Sequence, residues 1–162
     1  MPESSSRELE LETRPPALER RLVLRLLAHW RHMCGERLFP SVVQINPDEF
    51  DDMWAWCFTI DVAGNREDPV LRAVGTAMAR LHTVPLANLA LSALPPRTLI
   101  AQATEYWREA VTRRVPVSRG GQFAQDDGAT ILFRSILLPM SEDGETVGAL
   151  LGAGSCRQIV GL

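Results

Sequence analysis

Apolar residues near the N-terminus of the chain recur at the spacing of an α-helix. The positions that repeat every three or four residues are Leu22, Leu26, Trp30 and Met33, with Val23, Leu27 and Cys34 beside them. This spacing predicts a helix over residues 16–35, with Gly35 as its stop. Because the apolar band is wide, it has two possible partners, the core of its own domain and the same helix of a second copy, and both uses can coexist.

Between Trp54 and Val62 the pattern changes to strict alternation. The side chains that share the apolar face are Trp54, Trp56, Phe58, Ile60 and Val62. A period of two predicts a half-buried strand with one strongly apolar side. After a turn at residues 63–65, a second strand is predicted over residues 70–74.

The middle of the chain is predicted to be helical. Short helices are indicated over residues 77–82 and 86–94, and prolines bracket the second of them. A longer helix is predicted over residues 96–114, because Pro96 suits a first turn and an apolar stripe runs through the segment. That stripe consists of Leu99, Ile100, Ala103, Tyr106, Trp107 and Ala110.

The C-terminal part has the pattern of an antiparallel meander, in which Asp-Gly turns separate apolar runs. The predicted strands cover residues 115–125, 130–140 and 146–159. Segregated strands and helices predict an α+β fold, a five-stranded antiparallel sheet with helices on one face. The chain accordingly divides into a flexible acidic tail (1–15), an N-terminal capping helix (16–35) and one domain (36–162).

Charge and composition narrow the possible settings of this domain. The chain of 162 residues carries a net charge of −3, which argues against a broad nucleic-acid surface. All 17 of its basic residues are arginine, so every mechanism that needs a lysine is excluded. No run of about 18 apolar residues occurs, and we expect no contact with a membrane. Three scattered cysteines, Cys34, Cys57 and Cys156, exclude a disulfide framework and favour a reducing, cytoplasmic setting.

The motifs that usually reveal catalysis are missing from the sequence. It contains no Gly-x-Ser-x-Gly, no P-loop and no Gly-x-Gly-x-x-Gly, and only three histidines are present for general-base work. The paired carboxylates at residues 126–127 and 142–143 precede glycines, where turn chemistry explains them. We therefore expect a protein that is not an enzyme.

The order of elements and several short motifs resemble the PAS domain family, in particular small stand-alone bacterial PAS proteins. The residues that carry the resemblance are Trp30, Arg37, Pro40, Ile45-Asn46-Pro47, Leu71-Arg72, Val74-Gly75-Thr76 and the segment from Arg134 to Pro139. The resemblance implies a pocket between the inner face of the sheet and the helices. It also implies a sensory or regulatory domain that binds a small ligand or a protein partner, and whose N-terminal helix changes its packing in response.

The residues that could line this pocket fall into an apolar and a polar group. The apolar candidates are Trp56, Phe58, Ile60, Tyr106, Trp107, Phe133 and Leu150, which describe a closed core equally well. The polar candidates are Arg72, His82 and Arg134. If Arg134 points inward it is a buried cation that needs an anionic partner, and if it points outward it is an ordinary surface arginine. Arg72 poses the same question in the second strand.

Three glycines, Gly148, Gly152 and Gly154, share one side of the last predicted strand. A glycine inside a strand often marks the close approach of a ligand or of another backbone. The alternative is that these glycines permit a bulge, or tight packing of the N-terminal helix on that face.

The resemblance also bears on cofactors. Haem-binding PAS sensors usually offer a histidine from the long helix, and residues 96–114 contain none. The reactive Gly-x-Asn-Cys motif of flavin photosensors is absent as well. We therefore expect haem and flavin to be disfavoured and leave the ligand unknown. His29 and His32 lack a third ligand, so no metal site is predicted.

The sequence shows no fused kinase, cyclase or DNA-binding segment, so we expect the domain to act on a signalling partner in trans. A homodimer through the N-terminal helix is expected, and nucleic acid is not. Two alternatives stay open. One is a structural adaptor with a filled interior that recruits a kinase or a scaffold. The other is a small enzyme on a related cone-shaped fold, for which Asp61 is the strand carboxylate flanked by apolar residues.

Overall fold

The computed structural model describes residues 21–159 of the chain. In this part, the N-terminal helix α1 runs through residues 21–34 and is followed by Gly35. The φ of Gly35 is +61°, the left-handed conformation that commonly stops a helix. The predicted tail, residues 1–15, and the predicted start of the helix at residue 16 lie outside the described residues.

Five strands form one antiparallel sheet in the order β2-β1-β5-β4-β3. They are β1 (Cys57–Asp61), β2 (Val70–Val74), β3 (Val117–Ala124), β4 (Thr130–Met140) and β5 (Ala149–Ile159). The turns after β3 and β4 contain Gly128 and Gly144, both at positive φ, as the Asp-Gly signals predict. The prediction of an α+β fold built on a five-stranded antiparallel sheet is confirmed.

Short helices cover the inner face of the sheet. They are α2 (Thr76–Arg80), α3 (Leu99–Thr104) and α4 (Trp107–Arg113). Within residues 21–159, three 3-10 segments complete the helical elements, at Val42–Gln44, Pro47–Trp56 and Leu91–Ala93. Gly154 of β5 shows how close α3 lies, because a Cβ there would be 3.4 Å from that of Ala103 and 3.5 Å from Leu99 Cδ1. The helical layer therefore packs directly on the central strands.

Helix α1 packs on the opposite, outer face of the sheet. Its Leu26 is fully buried, and Trp30 Nε1 donates a hydrogen bond of 2.9 Å to the Pro139 carbonyl of β4. Side chains alternate between the faces of a strand, and those of the central strands that point away from α3 are also buried. These are Ile136, Leu138, Leu151 and Ala153. The apolar band of α1 is thus used against the protein's own sheet.

The first strand is shorter than the alternating pattern predicts. Residues 47–56 form a 3-10 segment with a kink at Asp51 (φ 54°), so Trp54 and Trp56 precede β1 and are not part of it. The Trp54 carbonyl lies so close to Gly75 that a Cβ there would be 2.0 Å from it. Packing of this segment against the start of α2 outweighs the local preference of its aromatic residues for a strand.

The long helix predicted over residues 96–114 is divided into α3 and α4 at Glu105 and Tyr106. Thr104 Oγ1 donates a hydrogen bond of 2.8 Å to the Ile100 carbonyl. Such a bond from a side chain to the preceding turn competes with the helical ladder and bends helices. The apolar stripe lies where it was predicted, but the spacing of apolar residues does not show that the Thr104 hydroxyl competes for a backbone carbonyl of the helix.

Most of the helix predicted over residues 86–94 does not form. Residues 87–88 make a turn, in which Asn88 has a φ of +69°, and only residues 91–93 form a 3-10 turn. The backbone before that turn runs beside β2. The Leu71 N–H donates to the Leu89 carbonyl at 2.8 Å, and the Asn88 N–H donates to the Leu71 carbonyl at 2.6 Å. Pairing with the edge of the sheet outweighs the weak helical tendency of this segment.

Candidate functional site

The inner face of the sheet, where the sequence places the pocket, is filled by the protein's own side chains. Phe58, Ile60 and Leu150 are fully buried there. The Phe58 ring lies over Gly152, where a Cβ would come within 2.4 Å of the ring and within 2.9 Å of Leu137 Cδ2. The glycines of β5 therefore make room for core side chains and for α3, whereas α1 lies on the other face.

Tyr106 and Trp107 are adjacent in the chain but lie in different surroundings. Tyr106 is buried, and its hydroxyl lies 2.6 Å from Ser135 Oγ. Burial raises the pKa of this phenol well above its usual value, so it stays protonated. Trp107 is half-buried at the surface, where the Arg108 guanidinium lies 4.6 Å from the centre of its ring.

The remaining aromatic candidates lie apart from each other. Trp56 ends the 3-10 segment before β1 and is half-buried. Phe133 lies in β4 against Phe123, with ring centres 5.9 Å apart. Of the apolar candidates, the structure therefore brings Phe58, the paired residues Ile60 and Leu150, Tyr106 and Phe133 into the core, whereas Trp56 and Trp107 are half-buried. Their role as ligand contacts stays a prediction.

Both arginine candidates are exposed. Arg72 forms an ion pair with Asp61 at 3.3 Å and donates to Asn88 Oδ1 at 3.0 Å. Arg134 is exposed on the outer side of β4, opposite in direction to the buried Phe133 and Ser135. In these positions neither guanidinium needs an anionic ligand.

His82 is half-buried just after α2. Its Nδ1 lies 2.9 Å from the Met78 carbonyl, and within residues 21–159 its buried Nε2 has no hydrogen-bond partner. Burial lowers the pKa of this imidazole and favours its neutral form. The ring lines a surface groove of about 320 Å³ beside the ion pair of Arg97 and Asp126, not the interior of the domain.

A groove that the sequence analysis did not predict lies on the outer face of the sheet. Its volume is about 300 Å³. Its apolar lining consists of Val42, Ala63, Met140, Gly148 and Ala149, together with Ile60, whose side chain points to the inner face. The groove therefore lies between the outer side of the central strands and the 3-10 turn that follows α1.

Four polar side chains complete the lining of this groove: Thr59, Asp61, Arg72 and Glu142. The side chains of the Asp61–Arg72 ion pair are 34% and 50% exposed, so solvent screens their attraction. In the described part of the chain no basic side chain forms an ion pair with Glu142. Apolar walls with a few polar groups are the usual composition of a small-molecule site.

The turn Val42–Gln44 connects this groove to α1. Glu142 accepts hydrogen bonds from Ser41 Oγ at 2.6 Å and from the Val42 N–H at 3.1 Å. Gln44 Nε2 donates at 3.0 Å to the Met33 carbonyl in the last turn of α1. The spacing of Ser41 and Gln44 is a capping box that the sequence displays. Glu142 joins these residues only in the folded chain.

A sequence model of the PAS domain family matches residues 19–154, most of the chain. The chain belongs to the PAS domain family. The resemblance inferred from the order of elements and the short motifs is thereby confirmed. Among curated proteins, no sequence matches this PAS domain significantly.

Solved structures of light-oxygen-voltage (LOV) domains are similar to this PAS domain. The LOV domain of a blue-light activated histidine kinase from Erythrobacter litoralis is 15% identical with a TM-score of 0.45, and the match covers 64% of this chain and 95% of that one. For the dark structure of the photoreceptor Aureochrome1 LOV the identity is 15%, the TM-score 0.49 and the coverage 73% and 85%. These likenesses concern the fold alone.

A third similar structure, from work with a flavin analogue on the mechanism of a LOV domain, is 13% identical, with a TM-score of 0.48 and coverage of 68% and 82%. The expectation that a flavin is disfavoured is therefore wrong as an inference from the sequence. It rested on the missing Gly-x-Asn-Cys motif. The missing cysteine does not argue against binding of a flavin ring, because burial of the flat ring in a pocket contributes more to binding than a single reactive side chain does.

Two further properties concern the described residues as a whole. Between residues 21 and 159 no helix is long and apolar enough to cross a membrane. Over the same residues no three histidine, cysteine, aspartate or glutamate side chains converge as metal ligands. His29 packs edge-on against Phe50, with ring centres 4.5 Å apart, whereas His32 is exposed.

Proposed function

We propose that this PAS domain is a non-catalytic regulatory module that binds a small, largely apolar molecule in the outer-face groove. Binding changes how α1 is seated on the sheet, and a signalling partner in trans reads that change. PAS domains are in general sensory, which supports the class of function. The observation that carries the proposal is that one short turn, Val42–Gln44, belongs both to the groove and to the anchor of α1.

The first step is contact between the bound molecule and the turn. Val42 is half-buried and lines the groove, while the neighbouring Val43 is 85% exposed. A ligand that occupies the groove therefore contacts Val42 from its buried side. Because the Val42 N–H donates a hydrogen bond to Glu142, a displacement of Val42 by the ligand also lengthens or breaks that hydrogen bond.

The second step carries the change to α1. Gln44 is tied at one end to the Met33 carbonyl and at the other end accepts the Ser41 N–H at 2.8 Å. A shift of the turn must either move the last turn of α1 or break these bonds. A ligand changes the balance between the two arrangements only by its difference in affinity for them.

The lining also limits the chemistry of the molecule. The walls are mostly apolar, and the volume of about 300 Å³ is at the small end of ligand sites. Glu142 and the Asp61–Arg72 pair give the groove a slightly negative local charge. These features favour a compact apolar molecule with a neutral or positively charged polar end over a strongly anionic one.

Native mass spectrometry of the purified protein, followed by thermal shift assays with a metabolite panel that includes a flavin, tests this function. We expect at least one compound to raise the melting temperature of the wild type. Ala149→Met, which places a longer side chain in the groove, should abolish that shift. Ala79→Met, at an exposed position of α2 away from the groove, is the matched control and should preserve it. A stabilising compound that binds both variants equally well would contradict the proposal.

A structural adaptor is the second candidate, and the filled inner face favours it. Adaptors present a surface to a partner, and Leu38 and Val43, 72% and 85% exposed, are apolar side chains in the loop after α1. This function predicts no thermal response to any compound. It also predicts that the double variant Leu38→Glu and Val43→Glu no longer recovers the cross-linked signalling partner that the wild type recovers from cells.

A further inference from the structure

The two edges of the sheet differ in how their backbone groups are used. At the outer edge of β2, the Leu71 N–H donates to the Leu89 carbonyl at 2.8 Å, and the Leu91 N–H donates to the Pro69 carbonyl at 2.9 Å. Residues 88–91 thus close the first part of that edge, at residues 69–71. At the opposite edge, β3 pairs with β4 on one side, and no residue between 21 and 159 hydrogen-bonds to its other side.

The turn after β3 shows which backbone groups are left open. The Gln125 N–H donates to the Ala129 carbonyl at 2.8 Å, so this residue points its backbone groups toward β4. Backbone groups alternate in direction along an antiparallel strand, and the pairing of β3 with β4 is regular from residue 117 to 124. The residues that point away from β4 are therefore Ser118, Gly120, Gln122 and Ala124. All four are exposed.

Proteins usually protect such an edge with a charge, a proline, a bulge or a very short strand. β3 is eight residues long, and Pro116 precedes it. Its charged residue, Arg119, is on the inner side, where it pairs with Glu109 and lies 5.0 Å from the Tyr106 ring centre. The outer side of β3 carries small or uncharged residues. The outer-side residues of β3 thus carry none of the usual protections, and the charged side chain that lies over Gly120 on this side, Arg134, belongs to β4.

We propose that the open edge of β3 binds the same edge of a second copy of this chain, which joins two sheets into one antiparallel sheet of ten strands. The two strands pair about a two-fold axis at Gly121. In this register Gly120 faces Gln122 of the second copy, and Ser118 faces Ala124. The backbone groups of all four outward-pointing residues of each strand then form hydrogen bonds with the second copy. Pro116, which has no N–H to donate, lies outside the paired residues.

The side chains of β3 favour this register. On the inner side it places Arg119 opposite Phe123 of the second copy, a favourable contact between a cation and an aromatic ring. A register centred on Arg119 would instead place two like charges opposite each other, which destabilises a pair of strands. At the axis, Gly121 leaves room for the two backbones to approach closely.

Sedimentation equilibrium of the full chain, with a proline at the open edge, tests the pairing. Gln122→Pro removes an N–H that β4 does not use, and proline is tolerated on the open side of an edge strand. We expect it to raise the dimer dissociation constant about tenfold or more over that of Gln122→Ala, the matched control. Circular dichroism should show the same fold for both variants. A wild type that stays monomeric at all concentrations, or equal constants for the two variants, would overturn the proposal.

Charges placed at facing positions test the register. Ser118→Arg combined with Ala124→Arg brings like charges together across the axis, and Ser118→Arg combined with Ala124→Glu brings opposite charges together. We expect the first pair to weaken the dimer about tenfold relative to the second, with the difference reduced at high salt. Equal constants for the two pairs would exclude this register, and with it the two-fold axis at Gly121.

The predicted dimer through α1 is the competing arrangement, and the exposed side of that helix offers Leu24 (58% exposed) and Ala28. Leu24→Glu should leave the dimer constant unchanged if β3 is the interface. A dimer that dissociates in Leu24→Glu but not in Gln122→Pro would assign the contact to α1 and overturn the edge pairing. Neither variant touches the groove, so a failure here leaves the proposed ligand function in place.

Discussion

The two faces of the central sheet are closed in different ways. On the inner face, Phe58 fills the space above Gly152, and α3 lies directly on Gly154. On the outer face, α1 is seated through a side-chain hydrogen bond from Trp30 and a link through Gln44, and a groove of about 300 Å³ stays open beside it. The buried side chains of α1, such as Leu26, are packed as closely as those of the inner face, but the last turn of α1 is linked through Gln44 to the turn that lines the groove. Under the proposed function, this link is where a bound molecule acts on α1.

The largest effect is expected from opening the inner face. Phe58→Ala should lower the free energy of unfolding by about 3–5 kcal/mol, because it removes a fully buried ring and leaves a cavity. Urea denaturation followed by circular dichroism measures this loss. Leu24→Ala, at an exposed position of α1, serves as control and should cost less than about 0.5 kcal/mol. A loss below about 1 kcal/mol for Phe58→Ala would mean that the inner face is an open pocket.

Crowding the same face should have the next largest effect. Gly152→Ala puts a methyl group where Phe58 and Leu137 already lie, so we expect a loss of about 1–3 kcal/mol in the same assay. Gly154→Ala makes contacts of 3.4 Å or more and should cost clearly less. If both alanines cost the same, the tight fit of Phe58 over Gly152 is not what closes the inner face.

On the outer face, a substitution that weakens the attachment of α1 should affect α1 alone and leave the sheet unchanged. Trp30→Phe keeps an apolar ring but removes the donor to the Pro139 carbonyl, and we expect a loss of about 1 kcal/mol. Hydrogen exchange of residues 21–34 should speed up while that of β4 and β5 stays protected. Trp107→Phe, at the half-buried surface tryptophan, controls for the change of ring. Equal acceleration throughout the sheet would show that α1 is an inseparable part of the core.

The smallest expected effect is the loss of stability at low pH that comes from Asp143, in the turn after β4. Asp143 accepts hydrogen bonds from the backbone N–H groups of Thr146 and Glu145 and from the Ser141 hydroxyl, which lower the pKa of its carboxyl to about 2. Because the pKa in the folded state lies below that of the unfolded chain, about 3.9, the contribution is complete above pH 4. It is lost as the pH falls from about 4 to 2.

Asp143→Asn should therefore flatten the dependence of unfolding free energy on pH in this range, which urea denaturation at a series of pH values measures. Glu145→Gln removes a neighbouring charge without removing these side-chain hydrogen bonds and is the control. An unchanged slope in Asp143→Asn would show that this turn does not hold the carboxylate in its charged form.

The sequence predicts an element well when the pattern that determines it lies within a few neighbouring residues, and poorly when a contact between distant residues determines it. The strands at residues 70–74 and 130–140 were predicted with the bounds that the structure shows, because alternation and Asp-Gly turns act over a few residues. The break at Thr104 and the early end of the tryptophan alternation depend on a side-chain bond and on contact with Gly75. Neither feature is visible in periodicity.

The candidate site shows the same division more sharply. Phe58, Ile60 and Leu150 were assigned correctly to the apolar side of the sheet, but whether that side is open depends on how Phe58 packs over Gly152. The groove on the other face is formed by Val42, Asp61 and Glu142, which are separated along the chain and meet only in the fold. A capping box at residues 41–44 was the one local signal near it.

The central claim is that occupancy of the outer groove controls the seat of α1, and hydrogen exchange of the Ala149→Met variant tests it without a ligand. A methionine at this position fills the groove with the protein's own side chain. We predict that amide exchange changes in residues 30–45, at the end of α1 and in the turn after it, while β4 and β5 keep their wild-type protection. Unaltered exchange in residues 30–45, with the methionine shown to be buried, would contradict the account.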